Sequence, residues 1–485
     1  MDQRDAQLLI EQCELEVRAG RADLVARRLA SLNRAKLPRR MILPLANICR
    51  RASLIRTGLR LLAPIVRPET QTEPATAAEN AEYAFLMMKN GSLSEALRLL
   101  NSIDERALAE ATLYTGFCHM FRWEYDRAVI YLEKYLASGP AEYQSLIGKV
   151  NLISALIALG RYEEANSIIF KVLQTCSEKN YSRLAGNCLE LRSQIHLSRE
   201  NFDLCREDLE AARVRLGAER SSDQLLIMKW LAFVESVQTG TLDAIDKFRE
   251  EARARRHWES LRECDFFSLK VRFDQSVFDR LHHGTIFEAY RRRLESVWNT
   301  KPSASSYLVG GGQILDLRSG SIGKDFVLKP GSKIHRAIDV LTRDFYRPLP
   351  IGTLFAEIFP NEYFDPFSST NRVHQLLWRV RDWLSESQFR AQLKEEDGLF
   401  RLVSETGFGF RVDREELIHD RMHAHWSALR ARFAGQGRFK SVEAQELLNI
   451  SSTTFRKLVK WATDQGRLAK TGESRATWYE IKSAA

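Results

Sequence analysis

A short pattern returns at near-regular spacing through the first half of the chain, and it decides most of what such a chain can fold into. Gly91-Ser-Leu93-Ser-Glu-Ala96 is followed by Trp123-Glu-Tyr125-Asp-Arg-Ala128 and Gly160-Arg-Tyr162-Glu-Glu-Ala165. Asn201-Phe202-Asp-Leu-Cys205 and Gly240-Thr-Leu242-Asp-Ala-Ile245 continue it. The aromatic or leucine positions 93, 125, 162, 202 and 242 stand 32, 37, 40 and 40 residues apart. A period of about 34–40 residues predicts stacked helical hairpins, because each unit can bury its apolar face only against a neighbour. The Gly or Asn allows a tight turn, the aromatic fills the gap between two helices, and the small residue lets them approach.

This stretch resembles tetratricopeptide repeats, with Gly160–Ala165 (GRYEEA) the closest match, over roughly residues 80–250. Cys205 and Ile245 depart from the small residue of that motif. The resemblance implies an α-solenoid over residues 78–300 that offers a concave surface to a protein or peptide partner, or serves as a dimerisation scaffold. Before it, residues 1–70 read as a basic helical segment with breaks at Gly20, Pro38, Pro44 and Gly58. Arg21, Arg27, Arg28, Arg34, Arg39, Arg40, Arg50, Arg51, Arg56 and Arg60 meet almost no acid within that window except Asp23. They form either an auxiliary surface for phosphate or an acidic protein, or a solvated helical face. Residues 68–77, PETQTEPATA, read as a linker.

At 485 residues, roughly three or four domains are expected. No run of about 18 apolar residues is present, so no membrane span is expected. The acidic start, MDQRDAQLLIEQCELEVRAG, is unlike a signal peptide. Seven scattered cysteines without a CxxC pair point to a reducing, cytoplasmic setting, with each thiol a small buried hydrophobe on a helix. The net charge of +9 suits an anionic partner. His282-His283 has no carboxylate or thiol at ligand spacing, and Gly310–Asp325 lacks the spacing of a phosphate loop, since Arg318 and Asp325 stand where Gly and Ser or Thr are needed. The expectation is therefore no metal, no cofactor and no catalytic centre.

The second informative stretch is Asn371–Leu384, NRVHQLLWRVRDWL. At helical period Val373, Leu377, Val380 and Leu384 fall on one face. Asn371, Gln375, Trp378, Arg379 and Asp382 fall on the other, with Arg372 and Arg381 on the flanks. It follows short strands over residues 306–328, a helix at 332–345, a second helix at 353–359 and the aromatic loop PNEYFDPFSS. LFRLVSETGFGFRV, ending at Val412, reads as two strands meeting in a hairpin at Gly407-Phe408-Gly409.

That order over 306–413 resembles the winged-helix DNA-binding domain of OmpR/PhoB-type response regulators, most closely at Val373–Leu384 and at Gly407–Phe410 (GFGF). The resemblance implies that the long helix enters the major groove and the wing reaches the minor groove. It places Gln375 and Arg379 on bases and Arg372 and Arg381 on the backbone. Thr406 stands where the family commonly has Arg, Trp378 offers a ring to a thymine methyl or a neighbouring subunit, and Glu395, Glu396 and Asp397 would repel phosphate if they faced it.

After an amphipathic connecting helix at 414–433, whose His419, His423 and His425 read as structural, residues 426–482 look like a second winged helix. Ser441 reads as an N-cap, Asn449 as the turn, and Ser451 as the cap of a helix over 452–465 with Phe455, Leu458, Val459 and Ala462 inward. Thr453, Thr454, Arg456, Lys457 and Lys460 face outward, with Lys470 and Arg475 on a wing that turns at Thr471-Gly472. This domain binds either DNA or protein. The expected fold is mainly α, an N-terminal tetratricopeptide-like α-solenoid followed by two winged helix-turn-helix (α+β) domains. The expected protein is a cytoplasmic, bacterial transcriptional regulator of double-stranded DNA, compatible with a homodimer. The alternative is a scaffold whose winged helices bind proteins.

Overall fold

The computed structural model describes residues 3–18, 21–30, 37–68, 73–217, 222–323, 325–360, 362–387, 389–413, 421–433, 437–448, 450–472 and 477–482. It separates into two compact units, Met1–Lys301 with Tyr363–Ser369, and Pro302–Glu362 with Thr370–Ala485. No described helix is long and apolar enough to cross a membrane.

The first unit is entirely helical among its described residues. α1 (Gln3–Arg18) and α2 (Ala22–Ala30) lead to α3 (Arg39–Arg51) and α4 (Ile55–Val66). Then come α5 (Ala77–Lys89) with α6 (Leu93–Leu100), α7 (Ala109–Phe121) with α8 (Tyr125–Ala137), and α9 (Glu142–Ala158) with α10 (Tyr162–Lys179). α11 (Ser182–Ser198) pairs with α12 (Phe202–Leu216) and α13 (Ser222–Thr239) with α14 (Asp243–Ala254). α15 (Trp258–Val271), α16 (Gln275–His283) and α17 (Glu288–Trp298) complete it. Leu93, Tyr125, Tyr162 and Phe202 each open the second helix of a pair, and Leu242 caps α14. The residues three positions on, Ala96, Ala128, Ala165, Cys205 and Ile245, are all fully buried, so the two larger ones occupy the same inward station.

Seven of the turns between consecutive helices share one conformation. Ser53, Gly91, Trp123, Gly160, Glu200, Gly240 and Arg256 all have φ between 56° and 91°. The amide of the residue after six of them reaches back to a helical carbonyl: Leu54 to Cys49, Ser92 to Met87, Glu124 to His119, Arg161 to Leu156, Asn201 to His196 and His257 to Ala252, at 2.7–3.0 Å. This is the Schellman closure, in which a left-handed residue satisfies the last carbonyls of a helix. The sequence pattern assigned the turn to Gly or Asn. At Trp123, Glu200 and Arg256 an ordinary residue holds it instead, and Glu200 rather than Asn201 carries the positive φ. Close approach is also set from the first helix of a pair: a Cβ on Gly186 would lie 2.6 Å from Leu216 Cγ.

The N-terminal helices join the same unit without a boundary at residue 70. Two of the expected breaks are helical: Pro44 lies inside α3 and Gly58 inside α4. The arginines there do meet acids, most of them supplied from outside their own helix. Arg28 pairs with Glu16, Arg39 with Glu73 and Glu79, Arg50 with Glu82, Arg51 with Glu14 and Arg27 with Asp23. A free phosphate-binding surface is thereby much reduced. The end of the expected linker is tied down too: Arg39 donates to the carbonyls of Glu73 and Pro74, and Thr76 opens α5 in a reciprocal capping box with Glu79. Arg34 lies outside the described residues. All seven cysteines are buried on helices, and burial pushes the Cys118, Cys188, Cys205 and Cys264 thiols up to about 12.

The second unit mixes helices with three sheets. β1 (Ser306–Gly310), β2 (Gln313–Asp316), β3 (Ser321–Ile322) and β4 (Asp325–Phe326) precede α18 (Lys333–Leu341), β5 (Leu349–Pro350) and α19 (Ile351–Ile358). α20 (Ser369–Glu386), β6 (Ala391–Glu396), β7 (Leu399–Ser404) and β8 (Phe408–Asp413) follow. Then come α21 (Arg421–Phe433), β9 (Arg438–Phe439), α22 (Ser441–Leu448), α23 (Ser452–Asp464), β10 (Leu468–Thr471) and β11 (Trp478–Ile481). The sheet orders are β1-β8-β2-β3-β4, β5-β7-β6 and β10-β11-β9.

One expectation is corrected by this topology. β7 and β8 are not partners in a hairpin: β7 pairs with β5 and β6, while β8 runs antiparallel to β1 and parallel to β2. The exposed hairpin is β6–β7, closed by Asp397 (φ 52°) and Gly398 (φ 74°), a left-handed pair suited to a two-residue turn. The glycine-rich stretch serves backbone packing, since a Cβ on Gly312 would lie 2.1 Å from the Gly407 carbonyl oxygen.

His335 locks α18 to the first sheet. Its fully buried ring donates from Nε2 to the Leu317 carbonyl at 2.6 Å and accepts the Gly331 amide at Nδ1, 3.2 Å away. That pairing requires the neutral ring, and burial pushes its pKa below the ordinary 6.5. An unfolded chain therefore binds this proton more readily than the folded one, and stability present above about pH 6.5 falls as pH drops through and below that value. Protection of the Ile338 amide, taken relative to its intrinsic exchange rate at each pH, is expected to fall between about pH 7 and pH 5, and His335→Gln to flatten that slope. An equal slope in the variant would remove His335 as the cause.

Candidate nucleic-acid interface

α20 is positioned by a buried stripe at 3–4-residue spacing, Val373, Leu376, Leu377, Val380 and Leu384. Trp383 adds a peg by donating from Nε1 to the Val327 carbonyl at 3.1 Å. Asn371, His374, Gln375, Trp378, Arg379 and Arg381 are consequently exposed, while Asp382 is half-buried. Trp378, at 61% exposed, is the most open large apolar side chain of this helix. The inward and outward faces are those the sequence period assigns.

The candidate cations of this face are not equivalent. Arg372 is ion-paired with Glu362 and lies over the Phe359 ring at 4.5 Å. The hydrogen bond from Arg372 holds the Glu362 carboxyl below its usual range. The backbone role expected of Arg372 would first require that pair to open. Arg381 faces Glu395 at 3.7 Å with both side chains about 40% exposed, a pairing worth at most about 1 kcal/mol. Arg379 and Gln375 have no ion pair or hydrogen bond among the described residues. Gln375, Trp378 and Arg379 are thus the uncommitted part of α20. The tip of the β6–β7 hairpin carries Glu395, Glu396 and Asp397, all exposed, with Lys394 and Arg401 exposed one step below it. Thr406 is exposed on the turn that joins β7 to β8, two strands of different sheets.

The second candidate helix, α23, starts at Ser451, whose Oγ accepts the Thr454 amide at 3.3 Å. Phe455, Leu458 and Ala462 are buried beside Phe439, Leu448 and Trp426, as the expected apolar face requires, and Val459 is half-buried. Ser441 is the first residue of α22 rather than its cap; Glu443 reaches back to the Lys440 amide at 2.7 Å. Thr453, Arg456, Lys457 and Lys460 are exposed and Thr454 half-buried, and among the described residues no acid pairs with Arg456, Lys457 or Lys460. Lys470 is exposed on β10, and Lys440 lies 4.8 Å from the Trp478 ring on the neighbouring strand. Arg475, Asn449 and His419 lie outside the described residues. His423 meets the Trp461 ring at 4.9 Å and His425 is buried.

Sequence reasoning missed the partner of Arg372, although Glu362, ten residues earlier, was one of two acids visible in the preceding loop, with Asp365 the other. It also weighted α20 above α23, whereas the free cations are concentrated on α23. A cavity of about 340 Å³ in the second unit is lined by Asp316, Arg318, Arg411, Asp413, His425 and Arg432, but Arg318 pairs with Asp413 and Arg411 with Asp316, so its charges close on each other. His282 is paired with Glu295 at 2.9 Å, and no described cluster of His, Cys, Asp and Glu is placed to hold a metal. No protein-family model and no curated protein sequence matches the chain.

Proposed function

We propose that the chain is a sequence-specific DNA-binding transcriptional regulator, with a tetratricopeptide-like α-solenoid that senses or scaffolds a protein or peptide partner and two winged helices that read DNA. The observation that carries this reading is the exposed face of α23. Three cations and a hydroxyl project from a helix anchored by three buried apolar residues; Asp464 is exposed at the helix end, and no acid is ion-paired with Arg456, Lys457 or Lys460 among the described residues. Such a surface suits phosphate and base edges together. α20 contributes an amide, a guanidinium and an indole, a set suited to adenine, guanine and a thymine methyl. The closed, repeated helix pairs of the first unit support the solenoid reading.

The test is a salt titration of binding to duplex DNA by the full chain. Affinity should fall linearly with log salt, by about 0.9 in slope per phosphate contact. A chain carrying Arg456→Ala, Lys457→Ala and Lys460→Ala together is expected to lose roughly 3 units of that slope. Absence of saturable binding, or an unchanged slope in the triple variant, would sink the reading. A second reading, a scaffold whose winged helices bind proteins, is favoured by the exposed Trp378 and the acidic β6–β7 tip.

A further inference from the structure

Tyr363–Ser369 precedes α20 in sequence yet packs as part of the first unit. Phe364 is 1% exposed, and its amide donates to Glu95 Oε2 at 3.1 Å. Glu95, on α6 and 5% exposed, also holds the Arg67 guanidinium just beyond α4. Arg67 in turn donates to the Phe364 carbonyl at 3.4 Å and lies 4.4 Å from the Tyr363 ring, with Arg98 of α6 5.1 Å from the same ring. Further along, Arg60 of α4 donates to the Pro366 carbonyl at 3.4 Å and lies 5.8 Å from the Phe367 ring.

This is recognition of a short segment, ending in a turn at Pro366–Ser368, by its main chain and its rings together. A buried carboxylate needs partners, and here it takes one from its own unit's arginine and one from the visiting amide. Three guanidiniums over or beside aromatic rings add attraction that an ordinary surface loop does not require. The rings of Tyr363 and Phe367 remain 61% and 47% exposed, so the segment sits on a rim with only Phe364 inserted. The Asp365 carboxylate at its centre turns the segment, accepting the Phe367 and Ser368 amides.

We propose that the face formed by α4 and α6 is a docking site for short aromatic–acidic peptides, that Tyr363–Ser369 is its resident occupant, and that an incoming segment of the same chemistry displaces it. This deepens the partner role given to the first unit in the proposed function. Because α20 begins at Ser369, whose amide donates to Asp365, displacement also loosens the first turn of that helix.

The probe is a fluorescent peptide Tyr-Phe-Asp-Pro-Phe-Ser-Ser, titrated into the full chain without DNA. The unaltered chain is expected to bind it weakly. A chain with Tyr363→Ala and Phe367→Ala, both rings half-exposed and so dispensable for folding, is expected to bind roughly tenfold more tightly. Adding Arg98→Ala to that chain should return most of the gain. Independently, hydrogen exchange at the Phe364 amide should quicken about tenfold or more in Glu95→Gln, and peptide should quicken exchange at residues 370–373. Equal peptide affinity in all three chains, unchanged Phe364 exchange in Glu95→Gln, or bound peptide without faster exchange at 370–373 would each overturn the proposal. None of these readouts involves DNA, so failure of the DNA-binding reading is scored separately by the salt titration.

Discussion

Phe389→Ala is expected to destabilise the second unit by about 3–5 kcal/mol. The ring is fully buried and meets Phe410 at 4.9 Å and Phe408 at 5.6 Å, edge-on to the latter. It stands immediately after α20 and before β6, so it fastens the exit of the candidate helix to β8. Truncation removes the transfer energy of the ring and leaves a cavity that β8 cannot close, because its register is fixed by β1 on one side and β2 on the other. Exchange of the β8 amides reads this unit alone. A loss under about 1 kcal/mol there would show that the site collapses and that Phe389 is not the fastening point.

Arg379→Ala should cost about 1–3 kcal/mol of DNA affinity, roughly a 5- to 160-fold loss, if its guanidinium bridges a guanine. The loss should be confined to sites with that base. A uniform loss across sequences would assign Arg379 to the phosphates, and no loss would exclude α20 from the interface. Arg372→Ala supplies the contrast. Its charge is already answered by Glu362 and its stem lies against Phe359, so affinity should change little. Competition experiments with point-mutated duplexes separate these outcomes.

How far the sequence carried the fold can be judged at particular residues. The inward and outward faces of α20 and α23 were legible because a 3.6-residue period depends only on neighbours along the chain. The starts of α6, α8, α10 and α12 were legible because an aromatic or leucine with a small residue behind it marks a buried helix start. The turn at Glu200 was not, since nothing in a glutamate announces a left-handed backbone. The pairing of Arg50 with Glu82 and of Arg51 with Glu14 was hidden for another reason: the acids lie more than 30 residues away, and proximity there is a product of helix packing. Strand pairing failed on the same ground. β7 and β8 are consecutive and joined by a short turn, yet each finds its partners in a different sheet.

Of the candidate site, the residue types and faces were readable but their availability was not. Glu362 and Glu395 decide which arginines of α20 are engaged, and neither lies on that helix. That Arg456, Lys457 and Lys460 have no ion pair among the described residues likewise depends on where the acids of neighbouring strands and helices fall in space, which no local window contains.

The repeated left-handed turn has a consequence for how such a chain ages. What recurs at Ser53, Gly91, Trp123, Gly160, Glu200, Gly240 and Arg256 is a dihedral angle, joined at six of the seven by the same backbone bond and carried by five different residue types. Main-chain geometry of this kind tolerates nearly free exchange of letters, at a cost near 1 kcal/mol where the residue is not glycine. Two chains of this design can therefore diverge until no column of an alignment agrees while every joint still closes in the same way. Their kinship is then to be sought by comparing torsions joint by joint.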